Sequence, residues 1–150
     1  MIITSFNIRG IGGHPNFRAL RKLFEKIIPD VLLVHETMYH RDKVCAFFLK
    51  LFLGWHMSAI DSTGLSGGSL VAWNPREADF CPYLTCAGIL LTGRSKGFPQ
   101  SFNLLYCYGL YKDKDSFWAS IERDGLLKLP NLIFAGDLNF TTSISEIWGS

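Results

Sequence analysis

An α/β sandwich of the α+β class is the architecture that this 150-residue sequence predicts. Two observations point to it. Near both ends, short apolar runs alternate with segments of helical period. The middle, from Trp55 to Tyr111, is a succession of strand-like runs separated by Gly, Ser and Pro. A doubly wound nucleotide-binding fold would alternate strand and helix throughout and lack such a middle.

Taken in order, Met1 to Ile8 reads as a short buried strand broken by Gly10, Gly12 and Gly13. Asn16 is the expected cap of a helix through about Ile28, with Leu20, Leu23, Phe24 and Ile27 on one face and Arg18, Arg21, Lys22 and Glu25 off it. Pro29-Asp30 closes that helix. Val31 to Val34 is a second buried strand, ending at His35-Glu36-Thr37, and a second helix follows from about Asp42 to Phe52. Trp55–Ile60, Ser69–Trp73, Leu84–Leu91 and Phe102–Tyr108 are the strands of the middle. Asp115 or Ser116 caps a last helix to about Leu129, with Phe117, Ile121 and Leu126 facing the core. Asn131 to Ala135 is the final strand.

Composition sets limits. The chain is 48% apolar and 19% charged, so it folds, and 150 residues suffice for one domain with a real core. A net charge of +2 is too mild to indicate nucleic-acid binding unless the basic residues cluster. Cys45, Cys81, Cys86 and Cys107 have neither zinc-knuckle spacing nor a histidine beside them, and read as reduced thiols. Met1–Phe6 lacks the basic flank and length of a signal peptide, and no run reaches membrane-spanning length. The expectation is a soluble intracellular protein, nuclear or cytoplasmic, without a membrane partner.

The polar residues at the strand ends carry the chemistry. Asn7 ends the first strand, Glu36 follows the second, Tyr108 ends a middle one, and Asp137 and Asn139 end the last. Alternation sends Asp137 and Asn139 to one side of an extended backbone. Strand ends are where sheet proteins gather ligands. Two carboxylates, two amides and a phenol suit a hard divalent cation, which takes oxygen donors and keeps several waters, and suit a phosphate, which takes N–H and O–H donors. Each residue has a plainer reading as well. Asn7 and Asp137 are turn formers, Glu36 is a solvated strand end, and Tyr108 is a core residue. It is their occurrence as an ordered set that favours chemistry.

Five segments in that order, Ser5-Phe-Asn-Ile-Arg-Gly10, Val34-His-Glu-Thr37, Ser66-Gly-Gly-Ser-Leu-Val-Ala-Trp73, Tyr106-Cys-Tyr-Gly109 and Gly136-Asp-Leu-Asn139, resemble the motifs of the endonuclease/exonuclease/phosphatase family. The wording is most similar to the endonuclease domains of plant LINE-type retrotransposons. The resemblance implies a DNase I-like four-layer α/β sandwich, two β-sheets packed between helices. It implies a Mg²⁺- or Mn²⁺-dependent phosphodiesterase that nicks DNA, fused to a reverse transcriptase in a complete element. Carried over residue by residue, Glu36 ligates the metal with Asn7 beside it. Tyr108 contacts the scissile phosphate, Asp137 orients or activates the attacking water, and Asn139 helps to place water or phosphate. Arg9 is the basic residue best placed to bridge phosphate oxygens. Arg18, Arg21, Lys22, Arg41 and Lys43 also lie near the motif loops, but read as solvated helix faces.

The sequence departs from the family pattern in three places. His35 stands where glutamine is common, either to reach a phosphate of the nucleic acid or simply to pack. Leu110 stands where a proline often follows Tyr-Gly. The family's later Ser-Asp-His motif has no counterpart, because there is no Asp-His dipeptide and all four histidines precede residue 57. Residues 1–150 are therefore expected to form a partial domain, incomplete at the C-terminus and impaired or inactive by itself. Two other functions stay open: a non-catalytic, nucleic-acid-binding remnant, and a phosphatase of inositol lipids or other small phosphoesters.

Overall fold

Side-chain alternation and two helical crossovers build four layers. The computed structural model describes residues 1–12, 14–63, 66–109 and 113–138, and Leu110 and Asn139 fall outside them. Among the described residues, one sheet has the order β1-β2-β4-β3, with β1 (Ile3–Asn7), β2 (Val31–His35), β3 (His56–Thr63) and β4 (Ser66–Trp73). The other runs β5-β6-β7-β8, with β5 (Ala78–Thr85), β6 (Gly88–Ser95), β7 (Phe102–Tyr108) and β8 (Leu132–Asp137). The pairs β1/β2 and β7/β8 are parallel, and the others are antiparallel. A parallel pair needs a crossover. Here α1 (His14–Ile27) links β1 to β2, and α3 (Lys114–Arg123) links β7 to β8.

Period-2 alternation sorts the strand residues into layers. Val31, Leu33, Val71 and Trp73 from the first sheet meet Phe80, Ile89, Leu91, Phe102, Leu104 and Tyr106 from the second, forming the inter-sheet core. Leu32, Val34, Leu70 and Ala72 point the other way, under Leu20 of α1 and Val44 and Phe48 of α2 (Arg41–Leu51). Leu90, Leu105 and Cys107 pack beneath Phe117 and Ile121 of α3. The order is helix, sheet, sheet, helix, as the resemblance implies. No helix among the described residues is long and apolar enough to cross a membrane.

Several boundaries differ from the sequence reading. The first helix starts at His14, with Pro15 in its first turn, where a missing N–H costs nothing; Asn16 lies inside it rather than capping it. The single strand expected over Leu84–Leu91 is a hairpin, β5 and β6, turning at Cys86-Ala87. Pro82 lies within β5, and is tolerated because β5 is an edge strand. The last helix stops at Arg123, because Gly125 turns left-handed at φ 69°, and a short 3₁₀ turn, Leu126–Lys128, replaces its remainder. Phe117, Ile121 and Leu126 are nonetheless all buried. The final strand runs two residues further than expected, to Asp137.

Candidate active site

Both parallel pairs end level. Asn7 registers with His35, and Tyr108 with Asp137. By alternation Asn7, His35, Tyr106, Tyr108 and Asp137 all project into the gap between the sheets, at the end where it opens. Glu36 follows β2 directly. The Tyr108 hydroxyl donates to Glu36 Oε1 at 3.3 Å, across the gap and 72 residues apart in sequence. Two of the predicted residues are thus in direct contact, and both are half-buried.

Asn7 is exposed, and its Oδ1 accepts the Arg9 N–H at 3.1 Å. That is the turn-forming geometry, and it leaves the amide oxygen a second lone pair. The turn puts Arg9 at φ 49°, while Glu36 stands at φ 54°. Non-glycine residues seldom adopt this left-handed region, which costs them about 1–2 kcal/mol. Three backbone bonds hold the paired turns: Ile8 N–H donates to the His35 carbonyl at 3.1 Å, Gly10 N–H to the Glu36 carbonyl at 2.7 Å, and Ile11 N–H to the Thr37 carbonyl at 3.2 Å. At the other strand pair, Gly109 N–H donates to the Asp137 carbonyl at 2.7 Å, which fixes the chain beyond Tyr108 against the end of β8.

His35 does not lie where a phosphate contact requires. It is 2% exposed, and both ring nitrogens are engaged, Nε2 with Ser5 Oγ at 2.6 Å and Nδ1 with the Tyr106 hydroxyl at 3.1 Å. Its packing alternative is the one the geometry favours. Burial holds its pKa below the ordinary 6.5, opposed by the negative charges of Asp137 and Glu36. Burial also drives the Tyr106 phenol far up, so it stays protonated. Ser5 and Tyr106 were not anticipated as site residues. The signal was present, since each sits two residues before a candidate, Asn7 and Tyr108, on the same strand face.

The donors at the mouth are oxygens: the Glu36 and Asp137 carboxylates and the Asn7 amide. Among the described residues no three His, Cys, Asp or Glu side chains gather to hold a metal. A small acidic set suits Mg²⁺, which keeps several waters, better than an ion caged wholly by protein.

No protein-family model matches the sequence, and no curated protein matches it. Solved structures do. The AP endonuclease LMAP from Leishmania major aligns with 99% of this chain and 58% of its own, at 19% identity and a TM-score of 0.70. The 3′ phosphatase NExo from Neisseria, bound to a product DNA hairpin, aligns over 97% of this chain and 60% of its own, at 17% identity and a TM-score of 0.67. The endonuclease domain of TRAS1, a telomere-specific non-LTR retrotransposon, covers 93% and 61%, at 17% identity and a TM-score of 0.63. The class is thereby set by fold: the chain has the DNase I-like α+β architecture. Its structural neighbours in that class are nucleases and phosphatases, and the chain spans 58–61% of the length of these three.

Proposed function

We propose that this chain carries the first-half catalytic residues of a Mg²⁺-dependent (or Mn²⁺-dependent) DNA-nicking phosphodiesterase of a LINE-type retroelement. The observation that carries the reading is the Tyr108–Glu36 contact at 3.3 Å, with Asn7 and Asp137 at neighbouring strand ends. The retroelement assignment rests on the sequence wording and on the likeness to the TRAS1 domain.

In this reading Glu36 and Asn7 hold the ion. When bound, it neutralises the charge of the non-bridging phosphate oxygens. On substrate binding Tyr108 turns its one hydroxyl hydrogen from Glu36 to the scissile phosphate, and Arg9 bridges phosphate oxygens further along the backbone. Asp137 accepts a hydrogen bond from the attacking water and aligns it opposite the leaving oxygen, assisted by Asn139. Preorganised donors and charges of this kind lower the barrier because they need no rearrangement as charge develops. In a complete element this domain would be joined to a reverse transcriptase.

A second reading is a nucleic-acid-binding module without turnover. It is favoured by the lack of any Asp-His dipeptide in these 150 residues. Loss of one electrostatic donor costs about 10²–10³ in rate, so nicking by this chain alone should be slow. The test is nicking of supercoiled plasmid with Mg²⁺, Mn²⁺ or EDTA, using the wild-type chain and Glu36→Ala, beside hydrolysis of a soluble phosphoester. Metal-dependent nicking lost in Glu36→Ala supports the enzyme. Salt-sensitive DNA binding with no cleavage supports the module. Preference for the small ester would point to a phosphatase.

A further inference from the structure

We propose that His35 is a positioning residue: held as one tautomer between Ser5 and Tyr106, it ties the two sheets together beneath Glu36 and Tyr108 and sets the distance between them. The proposal deepens the phosphodiesterase reading and rests on it for the role of Glu36.

The hydrogens can be assigned by valence. The Tyr106 hydroxyl lies 2.6 Å from the Val34 carbonyl, which can only accept. Its single hydrogen is therefore spent there. Towards His35 Nδ1, at 3.1 Å, the phenol oxygen must accept, so Nδ1 carries the ring proton. A neutral imidazole has one N–H, which leaves Nε2 bare to accept the Ser5 hydroxyl at 2.6 Å. The ring is 2% exposed and both its partners are uncharged hydroxyls, which suits the neutral form. A directed chain results, Ser5 to His35 to Tyr106 to Val34. It starts on β1, crosses from β2 to β7 and returns to β2.

The Glu36–Tyr108 contact is the outer rung of a ladder between the same two strand ends, and His35–Tyr106 is the inner rung. The rings of the inner rung meet edge-on, with centroids 4.9 Å apart. The Tyr106 bonds to His35 and Val34 are buried beside the apolar inter-sheet layer, so they lie in low dielectric and orient the ring, while Ser5 closes the chain at the exposed side. An apolar residue at position 35 could fill the same space. It would turn the exposed Ser5 hydroxyl out to water and leave the Nδ1-facing lone pair of Tyr106 unmatched, and only the Tyr106–Val34 bond would still hold β2 to β7 under the outer rung. Glutamine offers one donor and one acceptor at similar reach, and so preserves the ladder where leucine does not.

The experiment uses the whole 150-residue chain. NMR of ¹⁵N-histidine-labelled protein near neutral pH, without metal, reads the tautomer. The expected result is His35 protonated at Nδ1 and bare at Nε2. His35→Leu, His35→Gln and Tyr106→Phe are then compared by amide hydrogen exchange at Glu36 and Tyr108, and by kcat and KM for nicking. His35→Leu should speed exchange at both amides and lower kcat about tenfold, the equivalent of one buried hydrogen bond, with little change in KM. His35→Gln should recover most of both losses. An Nε2–H tautomer, unchanged exchange in His35→Leu, or equal losses in His35→Leu and His35→Gln would each overturn the proposal. Should His35→Leu fail to fold, the wild-type tautomer and the exchange at Tyr108 in Tyr106→Phe decide. If the wild-type chain does not nick, the phosphodiesterase reading of this chain fails, while tautomer and exchange still decide the place of His35.

Discussion

A methyl group at position 136 would collide with the neighbouring strand, and the cost of Gly136→Ala can be worked from the structure. Gly136 lies inside β8 at φ 124°, a conformation that L side chains rarely adopt. An added Cβ would overlap the Cys107 carbonyl oxygen and sit 3.0 Å from that residue's carbonyl carbon and 3.1 Å from its nitrogen. These are main-chain atoms of β7, in register with Gly136 and fully buried, so no side chain can swing aside. An alanine held at this φ is strained by about 1–3 kcal/mol, and the backbone must also move to relieve the overlap. Moving it apart loses ladder hydrogen bonds at about 0.5–1.5 kcal/mol each. Together the loss should be about 3 kcal/mol, a large share of a total stability of about 5–15 kcal/mol. For a domain of this size it corresponds to a fall in Tm of about 6–12 °C. Urea unfolding followed by circular dichroism measures it, with an unchanged slope showing that the two states are the same. A Gly136→Ala protein within about 0.5 kcal/mol of wild type, the usual range of a harmless surface change, would refute the described approach of β8 to β7.

Three further outcomes are expected. Tyr108→Phe removes the donor to Glu36 and should lower kcat for nicking about tenfold while the unfolding midpoint stays close to wild type; a normal kcat would remove Tyr108 from the site. Thiol titration at pH 8 should separate the cysteines. Exposed Cys81 should react first, and exposed Cys86 more slowly, because burial of its thiol and the nearby Asp124 raise its pKa. Buried Cys107, pushed up to about 12, should react only on unfolding. The third concerns acid. Because the folded pKa of His35 lies below its unfolded value near 6.5, the unfolded chain takes up the proton first. This contribution to stability is whole above about pH 6.5 and is lost as pH falls towards the folded pKa. In EDTA, wild type should lose more stability than His35→Gln between pH 8 and pH 5, and equal losses would contradict the burial of a neutral ring.

The layers and the strand ends were legible in the sequence because they follow from short-range patterning. Val31–Val34 and Phe102–Tyr108 are apolar runs whose flanks carry Glu36 and Tyr108, and the strands form where those runs lie. The β5–β6 hairpin was not legible. Cys86-Ala87 is not a turn-forming pair, and Pro82 argues against a strand unless that strand is known to lie at an edge, which is a tertiary fact. The helix after β7 was overextended because its apolar period continues to Leu126, across the left-handed Gly125 that stops it. His35 was half legible. Alternation from Val31 and Leu33 puts it on the inner face, but its partners Ser5 and Tyr106 are 30 and 71 residues away, beyond any local pattern.

That separation has a kinetic consequence. The Tyr108–Glu36 contact closes over 72 residues, and Asp137 joins only after β8 docks beside β7 through a helical crossover. Local helices and the β5–β6 hairpin can form within microseconds, while contacts between such distant segments wait on loop closure and sheet assembly. The mouth of the sandwich should therefore be the last part to order during refolding. A chain emerging from the ribosome can hold a formed first sheet while still lacking the surface at which Glu36 meets Tyr108.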